Sequence, residues 1–232
     1  MRLEKYVSIT KDIPRSTVTK LLKNGSIKVN GTAIMVSCDI KDSDIVEVDG
    51  EVLEFKKTRV VMMYKPIGYV VSSSEKDGKS IYNLLKSNRL KPIGRLDKFS
   101  EGLLLLTDDG KLIHDITNPK SIIEKEYIVT CAEEISDELS NLSKEFHLTN
   151  QDRGAYIAKA KSYFQIDEHN FSITITEGKF HEVREITKLI GLTLTNLKRV
   201  RIGGIALDPS LNAGEVRELN NKEIEKLMGA LR

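Results

Sequence analysis

The sequence predicts an α+β chain in two parts: a small helix-helix-sheet module over residues 1–59, then a larger mixed, mostly antiparallel sheet domain over residues 60–232. Three observations predict it. Apolar residues recur at helical spacing twice near the start and then give way to short alternating runs around Asn30-Gly31 and Asp49-Gly50. A basic stretch over 55–59, with Lys56, Lys57 and Arg59, separates this part from the rest. Beyond it, many short strand-like runs alternate with a few amphipathic helices, the mark of an α+β sheet domain.

In the module, residues 2–9 place Leu3, Tyr6 and Val7 on one face of a first helix. Pro14 stands where a second helix begins, a position that tolerates a missing backbone donor. Val18, Leu21 and Leu22 continue that helix, and Gly25 can end it in a left-handed conformation. Residues 26–29 read as a strand entering the Asn30-Gly31 turn, and 45–48 and 52–55 form a second pair around Asp49-Gly50.

In the larger domain, 60–64 is a strand, Lys65-Pro66-Ile67-Gly68 turns the chain, and 69–72 returns it. Residues 80–86 read as a short helix, and the four leucines 103–106 as a buried strand. A helix follows over 109–116, with Asp108 or Asp109 at its cap and Pro119 beyond its end. Then come a strand at 127–131, a helix over 136–145, and antiparallel strands at 155–164 and 171–176. An amphipathic helix at 181–190 is closed by Gly191, and a strand at 197–202 and a helix at 222–231 complete the chain.

Composition narrows the function classes. With 232 residues and 40% hydrophobic content, the chain is expected to build packed cores. The longest apolar run is far short of the ~18 residues of a membrane helix, and the first residues carry no signal-peptide pattern, so a cytoplasmic location is expected. Cys38 and Cys131 are far apart and are expected to be buried free thiols, with no zinc site. The net charge of +2 hides a polarity: residues 1–31 hold seven Lys/Arg against two acids, and residues 32–54 hold one lysine against seven acids. Such a module would orient on a polyanion, although a solvated surface reads the same way.

Three stretches could carry chemistry. In Gly94-Arg95-Leu96-Asp97, a carboxylate beside an arginine precedes an apolar strand. A nearby cation favours the ionised form that a nucleophile or base needs; a turn aspartate capping local donors is the structural alternative. In Lys125-Glu126-Tyr127, an aromatic at a strand end can stack on a nucleobase or fill a half-buried strand position. In Gly178-Lys179-Phe180-His181-Glu182-Val183-Arg184, a sharp turn leads into a helix whose N-terminus could hold a phosphate. Arg184, one turn in, could pair with a carboxylate or with RNA, or lie on the surface. His181-Glu182 lacks the second histidine of a zinc protease, because residue 185 is Glu185. The run 197–204 alternates basic and apolar residues, as a strand with one wet cationic face would. Gly-rich nucleotide loops are absent, and Ser72-Ser73-Ser74 lacks the setting of a nucleophile elbow.

Taken together, the motifs resemble those of the bacterial ribosomal RNA pseudouridine synthases. Gly94-Arg95-Leu96-Asp97 followed by residues 102–110 resembles the family's central motif, and Lys65-Pro66-Ile67-Gly68 its preceding turn. Lys125-Glu126-Tyr127 and residues 178–184 resemble its tyrosine and arginine motifs, and 197–204 its closing strand. The N-terminal part is similar to a small RNA-binding module also carried by bacterial tyrosyl-tRNA synthetases and a small-subunit ribosomal protein. The resemblance implies an isomerase that detaches uracil at nitrogen 1, turns it and rejoins it through carbon 5, without cofactor or metal. It implies Asp97 as nucleophile or base, Arg184 paired with it, and Tyr127 stacked on a flipped base. It implies substrate contacts from Arg95, Leu96, Leu197 and Lys65, and RNA contacts from Arg2, Lys5, Arg15, Lys20, Lys23, Lys198 and Arg199. Length and His181 resemble the small-subunit branch, which acts on one uridine of 16S rRNA, so ribosomal RNA is the expected partner of a monomer. The alternatives are a large-subunit enzyme, a non-catalytic RNA-binding protein, and a glycoside or nucleoside hydrolase, which needs a second carboxylate. The chain departs from the family pattern at Phe99, where an acid is usual, at Glu185 for a second arginine, at Tyr64 for an asparagine and at Pro14 for a serine.

Overall fold

A computed structural model of the chain describes residues 2–11, 13–41, 43–54, 59–85, 89–150, 154–179 and 181–230. The expected linker at 55–58, the end of the 80–86 helix, Phe180 and Leu231 lie outside these residues. The chain divides into two compact units, Met1–Thr58 and Arg59–Arg232.

In the first unit, helices α1 (Leu3–Lys11) and α2 (Arg15–Lys23) precede a four-stranded antiparallel sheet of β1 (Ile27–Val29), β2 (Thr32–Ala33), β3 (Val46–Val48) and β4 (Glu51–Val52). Leu3, Tyr6 and Val7 pack with Val18, Leu22, Ile27 and Val46 in one apolar core. Both Asn30-Gly31 and Asp49-Gly50 have positive φ at each residue, which matches the twist of a tight hairpin. Arg2, Arg15, Lys20, Lys23 and Lys28 are exposed and Lys5 is half-buried. The acidic and basic runs touch in places: Arg2 pairs through its backbone with Asp39, and Lys11 forms an ion pair with Glu51. Cys38 is half-buried rather than buried, while Cys131 lies in the core of the second unit.

The second unit is organised by a nine-stranded sheet. Its members are β5 (Val60–Lys65), β8 (Lys91–Ile93), β9 (Glu101–Thr107), β10 (Lys125–Cys131), β13 (Ser162–Gln165), β14 (Asn170–Ile175), β15 (Leu194–Ile202), β16 (Ile205–Ala206) and β17 (Val216–Glu218). The main order is β13-β14-β10-β15-β9-β5-β17, with β8 on β9 and β16 on β15. Within this sheet every strand pair is antiparallel except β15 with β9, which joins Lys198 to Glu101 and Arg199 to Gly102 in parallel. Two small sheets, β6 (Tyr69–Val70) with β7 (Lys79–Ser80) and β11 (Phe146–Asn150) with β12 (Gly154–Ala158), stand apart. Helices α3 (Gly110–Thr117), α4 (Glu182–Leu189) and α5 (Asn221–Gly229) complete the unit.

The leucine run is buried on both sides of the sheet, as a continuous apolar strand must be. Leu103 and Leu105 face Ile116, Ile123, Ile202 and Leu227, whereas Leu104 and Leu106 face Val61, Met63, Ile81 and Leu90. At the start of α3, the Asp109 side chain accepts the Lys111 N–H at 3.0 Å, satisfying one of the donors a helix start leaves open. Asn220 and Glu223 form a reciprocal capping box on α5.

Several elements differ from the sequence reading. The expected helices at 80–86 and 136–145 are single 3₁₀ segments, Ile81–Leu84 and Glu138–Ser143. The residues 69–72 do not return along β5; Tyr69–Val70 pairs in parallel with Lys79–Ser80. The run 155–164 breaks in two, because Ala158 and Ala160 both turn into the core and divide the run between two partners, β11 and β14. Among the described residues no helix is long and apolar enough to cross a membrane.

Candidate active site

A cavity of about 550 Å³ opens where β10, β14 and β15 meet the turn before β9 and the start of α4, and its size suits a small organic ligand. Asp97 and Ser100 lie at the turn, Tyr127 comes from β10, Leu197 and Arg199 from β15, and 177–179 and 181–183 from the approach to α4.

The turn that carries Asp97 is held by its backbone. The carbonyl of Asp97 accepts from the Ser100 N–H at 3.1 Å and from Lys65 Nζ at 3.0 Å. The Lys98 carbonyl accepts from the Gly68 N–H at 2.8 Å, the Phe99 carbonyl from Arg184 Nη2 at 2.7 Å, and the Ser100 carbonyl from Lys65 Nζ at 2.8 Å. Every carbonyl from 97 to 100 is therefore engaged, which leaves the turn little freedom. Lys65 is fully buried, and burial pushes its ammonium down to about 8. Expected as a substrate contact, it instead spends its protons on three backbone carbonyls, the third being Pro66 at 3.0 Å.

Two side chains from the start of α4 reach the Asp97 carboxylate. His181 Nε2 lies 3.5 Å from Oδ2 and Arg184 Nε 4.0 Å from it. Arg184 also donates to Ser100 Oγ at 3.1 Å, so one guanidinium both faces the carboxylate and ties down its turn. His181 adopts a left-handed φ of +56°, which turns the chain sharply into the helix. Behind it, buried Glu182 accepts the N–H groups of Gly178 at 2.9 Å and Lys179 at 2.7 Å; desolvation raises its pKa, opposed by those two bonds. These donors belong to the loop before α4 and not to the first turn of the helix, whose N-terminus was the expected phosphate site.

Tyr127 is buried and forms one wall. The Arg199 guanidinium lies 6.0 Å from the centre of its ring. Arg199, expected as an outward RNA contact, is only 3% exposed. Its Nε donates to the Leu103 carbonyl at 2.8 Å and its Nη1 to the Arg95 carbonyl at 3.1 Å, while Nη2 has no hydrogen-bond partner among the described residues. Ordinary strand alternation puts Leu197 and Arg199 on the same buried face, and a register shift between Glu126 and Tyr127, which leaves Val200 out of the β10 pairing, then brings Ile202 rather than Arg201 to that face. The expected wet cationic face is missing for a second reason, since Arg201 is bound by Glu126 at 2.8 Å and Glu124 at 3.2 Å. Lys198 is half-buried with its ammonium 4.7 Å from the Tyr64 ring centre.

Leu96 and Leu197 are buried in the core behind the cavity and also line it, and Arg95 is exposed on the lining. Sequence reading missed Lys125 as a wall of the site. Its ammonium, pushed down to about 8 by burial, donates to the carbonyls of Ile123, Thr176 and Glu177. It also missed the role of Ser100 and the proximity of His181 to Asp97; neither has a local signal, because each depends on contacts across more than 80 residues.

Residues 59–188 match the family described as RNA pseudouridylate synthase. The chain belongs to the RNA pseudouridylate synthase family. It is 37% identical to an uncharacterized RNA pseudouridine synthase of Aquifex aeolicus, over 98% of this chain and 96% of that one. It is 34% identical to the ribosomal small subunit pseudouridine synthase A of Haemophilus influenzae, covering 98% of this chain and all of the relative. A crystal structure of a pseudouridylate synthase aligns with a TM-score of 0.66 at 33% identity, over 98% of this chain and 99% of that one. As a member of this family the chain is an isomerase acting on uridine in RNA, and the large mixed sheet flanked by a few helices is the family's fold.

Proposed function

We propose that the cavity takes a flipped uridine of 16S ribosomal RNA and that Asp97 is the catalytic carboxylate. The observation that carries this reading is the placement of Asp97: a carboxylate on a fully tied turn, at the lining of a ligand-sized cavity, facing His181 and Arg184. The choice of small-subunit RNA is supported by the names of relatives from Haemophilus, Pasteurella and Vibrio, each a ribosomal small subunit pseudouridine synthase A at 34–36% identity.

In this reading the uridine leaves its stack at a cost of a few kcal/mol and enters the cavity. Tyr127 stacks on one face of the uracil and Leu197 packs against it. Asp97 attacks or deprotonates at the ribose or the uracil, the glycosidic bond at nitrogen 1 breaks, the base turns, and carbon 5 bonds to the same ribose carbon. The carbon-5 proton is then lost and nitrogen 1 is protonated, so no atom of the RNA is gained or lost overall. Arg184 holds the carboxylate by charge, His181 stands beside it, and Lys65 acts through the turn as a positioning residue. Exposed Arg95 at the lining is placed to hold a phosphate or fill the gap left in the stack. The first unit supplies a second, electrostatic hold on RNA through Arg2, Lys5, Arg15, Lys20 and Lys23, and the enzyme works as a cytoplasmic monomer on ribosomal RNA.

Asp97→Asn tests the assignment. The variant should bind 16S RNA within a few-fold of the parent and form no pseudouridine, and measurable product from it would sink the role of Asp97. Mapping pseudouridine in ribosomal RNA from cells with and without the protein tests the substrate. One site lost from 16S RNA is expected, and a site lost from 23S RNA instead would move the enzyme to the large subunit.

A further inference from the structure

Phe99 stands two residues from Asp97 and does something different from its neighbours. Asp97 and Ser100 line the cavity, but Phe99 does not, and it is 65% exposed. Among the described residues it is one of two phenylalanines left exposed, the other being Phe164 on the edge strand β13. Its exposure is not a sign of a loose loop. Its own carbonyl is held by Arg184 and the carbonyls on either side by Gly68 and Lys65. A flat apolar ring is thus presented to solvent on a rigid backbone. Lys98 places its ammonium 5.4 Å from the ring centre, whereas the Arg184 guanidinium is turned inward to the Phe99 carbonyl, Ser100 and Asp97. An exposed aromatic face beside a cation is the arrangement by which single-stranded nucleic acid is gripped, with a base stacked on the ring and a phosphate near the charge.

We propose that Phe99 is the stacking platform for the nucleobase adjacent to the flipped uridine. This rests on the reading that the Asp97 cavity receives that uridine. Two residues span at most about 7 Å of backbone, so Phe99 is anchored about one nucleotide step along the chain from the residue that carries the carboxylate. When the target base swings into the cavity, its neighbour loses a stacking partner, which is part of the cost of flipping. The Phe99 ring supplies a substitute face, and because its backbone is already fixed, little conformational freedom is lost in doing so. The platform reads no hydrogen-bond pattern, so it tolerates any base at that position, with purines held more strongly through their larger faces.

The experiment uses the full chain with 16S ribosomal RNA transcribed without modification. Phe99→Ala should lower kcat/KM for pseudouridine formation about ten-fold or more, the loss expected for one stacked base. Its thermal unfolding midpoint should be unchanged, since the ring is exposed. Phe99→Tyr should stay within about two-fold of the parent, whereas Phe99→Leu, which keeps apolar bulk but has no aromatic face, should fall with the alanine variant. The chain has no tryptophan, so Phe99→Trp in the Asp97→Asn background introduces a single indole whose fluorescence should be quenched as RNA binds. Parent-like kcat/KM in both the alanine and leucine variants, or an unquenched indole at RNA saturation, would overturn the platform alone. An unmutated chain that binds the RNA yet forms no pseudouridine would overturn the cavity reading and the platform together.

Discussion

Lys65→Met removes one positive charge from the interior and nearly nothing else, and the structure sets opposite expectations for stability and for catalysis. The methionine fills the space of the lysine stem. Three carbonyls lose a charged donor, but that of Asp97 keeps the Ser100 N–H, so Pro66 and Ser100 bear the loss. At about 1–3 kcal/mol for each buried acceptor left without this partner, the loss is about 2–6 kcal/mol. Against this, an ammonium held at about 8 costs about 3 kcal/mol relative to a lysine in water near 10.4. The two nearly offset, and folding stability at pH 7 should fall by no more than about 3 kcal/mol. The turn, however, loses the group that joins its two ends, and a displacement of about 1 Å at the carboxylate proposed to react is worth roughly 100-fold in rate. Single-turnover pseudouridine formation should drop by about that factor, while urea unfolding of the second unit shifts modestly. The comparison also has a pH signature. Between about pH 8 and pH 10 the unfolded chain keeps a proton at Lys65 that the folded chain has released, so the parent gains stability as pH rises and the methionine variant lacks this gain. The difference between them should therefore move in favour of the parent by up to about 3 kcal/mol from pH 7 to pH 10. Parent-like turnover in the variant, or a stability difference that is flat across this range, would refute the reasoning.

Other substitutions test other parts of the structure. Gly102→Ala should cost more than about 3 kcal/mol and lower soluble yield, because a Cβ there would meet the Arg199 carbonyl oxygen at 2.2 Å at a φ of +104°; an unchanged thermal midpoint would mean the strands can part without penalty. Arg184→Ala should reduce the single-turnover rate by 100-fold or more with little change in RNA affinity, since its contacts are to Asp97, Phe99 and Ser100; a pure affinity loss would make it a phosphate contact. Replacing Arg15, Lys20 and Lys23 together with alanine should flatten the dependence of log K on log salt by about 2 if these exposed residues meet RNA phosphates, and an identical slope would remove the first unit from the binding surface.

The parts of the fold that could be read from the chain are those whose signal is local. The leucines of β9, the turns at Asn30-Gly31 and Asp49-Gly50 and the helix closed by Gly191 each carry their own pattern of side-chain spacing or backbone freedom. The strands β8, β16 and β17, of two or three residues, exist only because a longer partner in the sheet offers them hydrogen bonds. The same division holds at the cavity. The motifs carrying Asp97, Tyr127 and Arg184 were visible, and the structure brings all three to one place. Lys65 and Arg199 were misjudged because a cationic residue reads as a surface contact until its burial is known, and burial follows from packing far along the chain. The bulge at Val200 turns Ile202 rather than Arg201 to the face that Leu197 and Arg199 share, and nothing in the run 197–204 announces it.

The single parallel junction of the nine-stranded sheet, two residue pairs where β15 meets β9, bears on how the enzyme comes into being. Asp97 lies on the turn between β8 and β9 of the ribbon of β5, β8 and β9, whereas Tyr127 and Arg199 belong to the ribbon of β10, β14 and β15 and Arg184 to the helix α4 that links β14 to β15. Each ribbon is zipped by antiparallel neighbours, but the join between them links positions about a hundred residues apart, among the costliest closures the chain makes. Catalytic competence should thus be the last property a refolding molecule acquires, recovered only when the two ribbons dock, well after most of the strand content has returned.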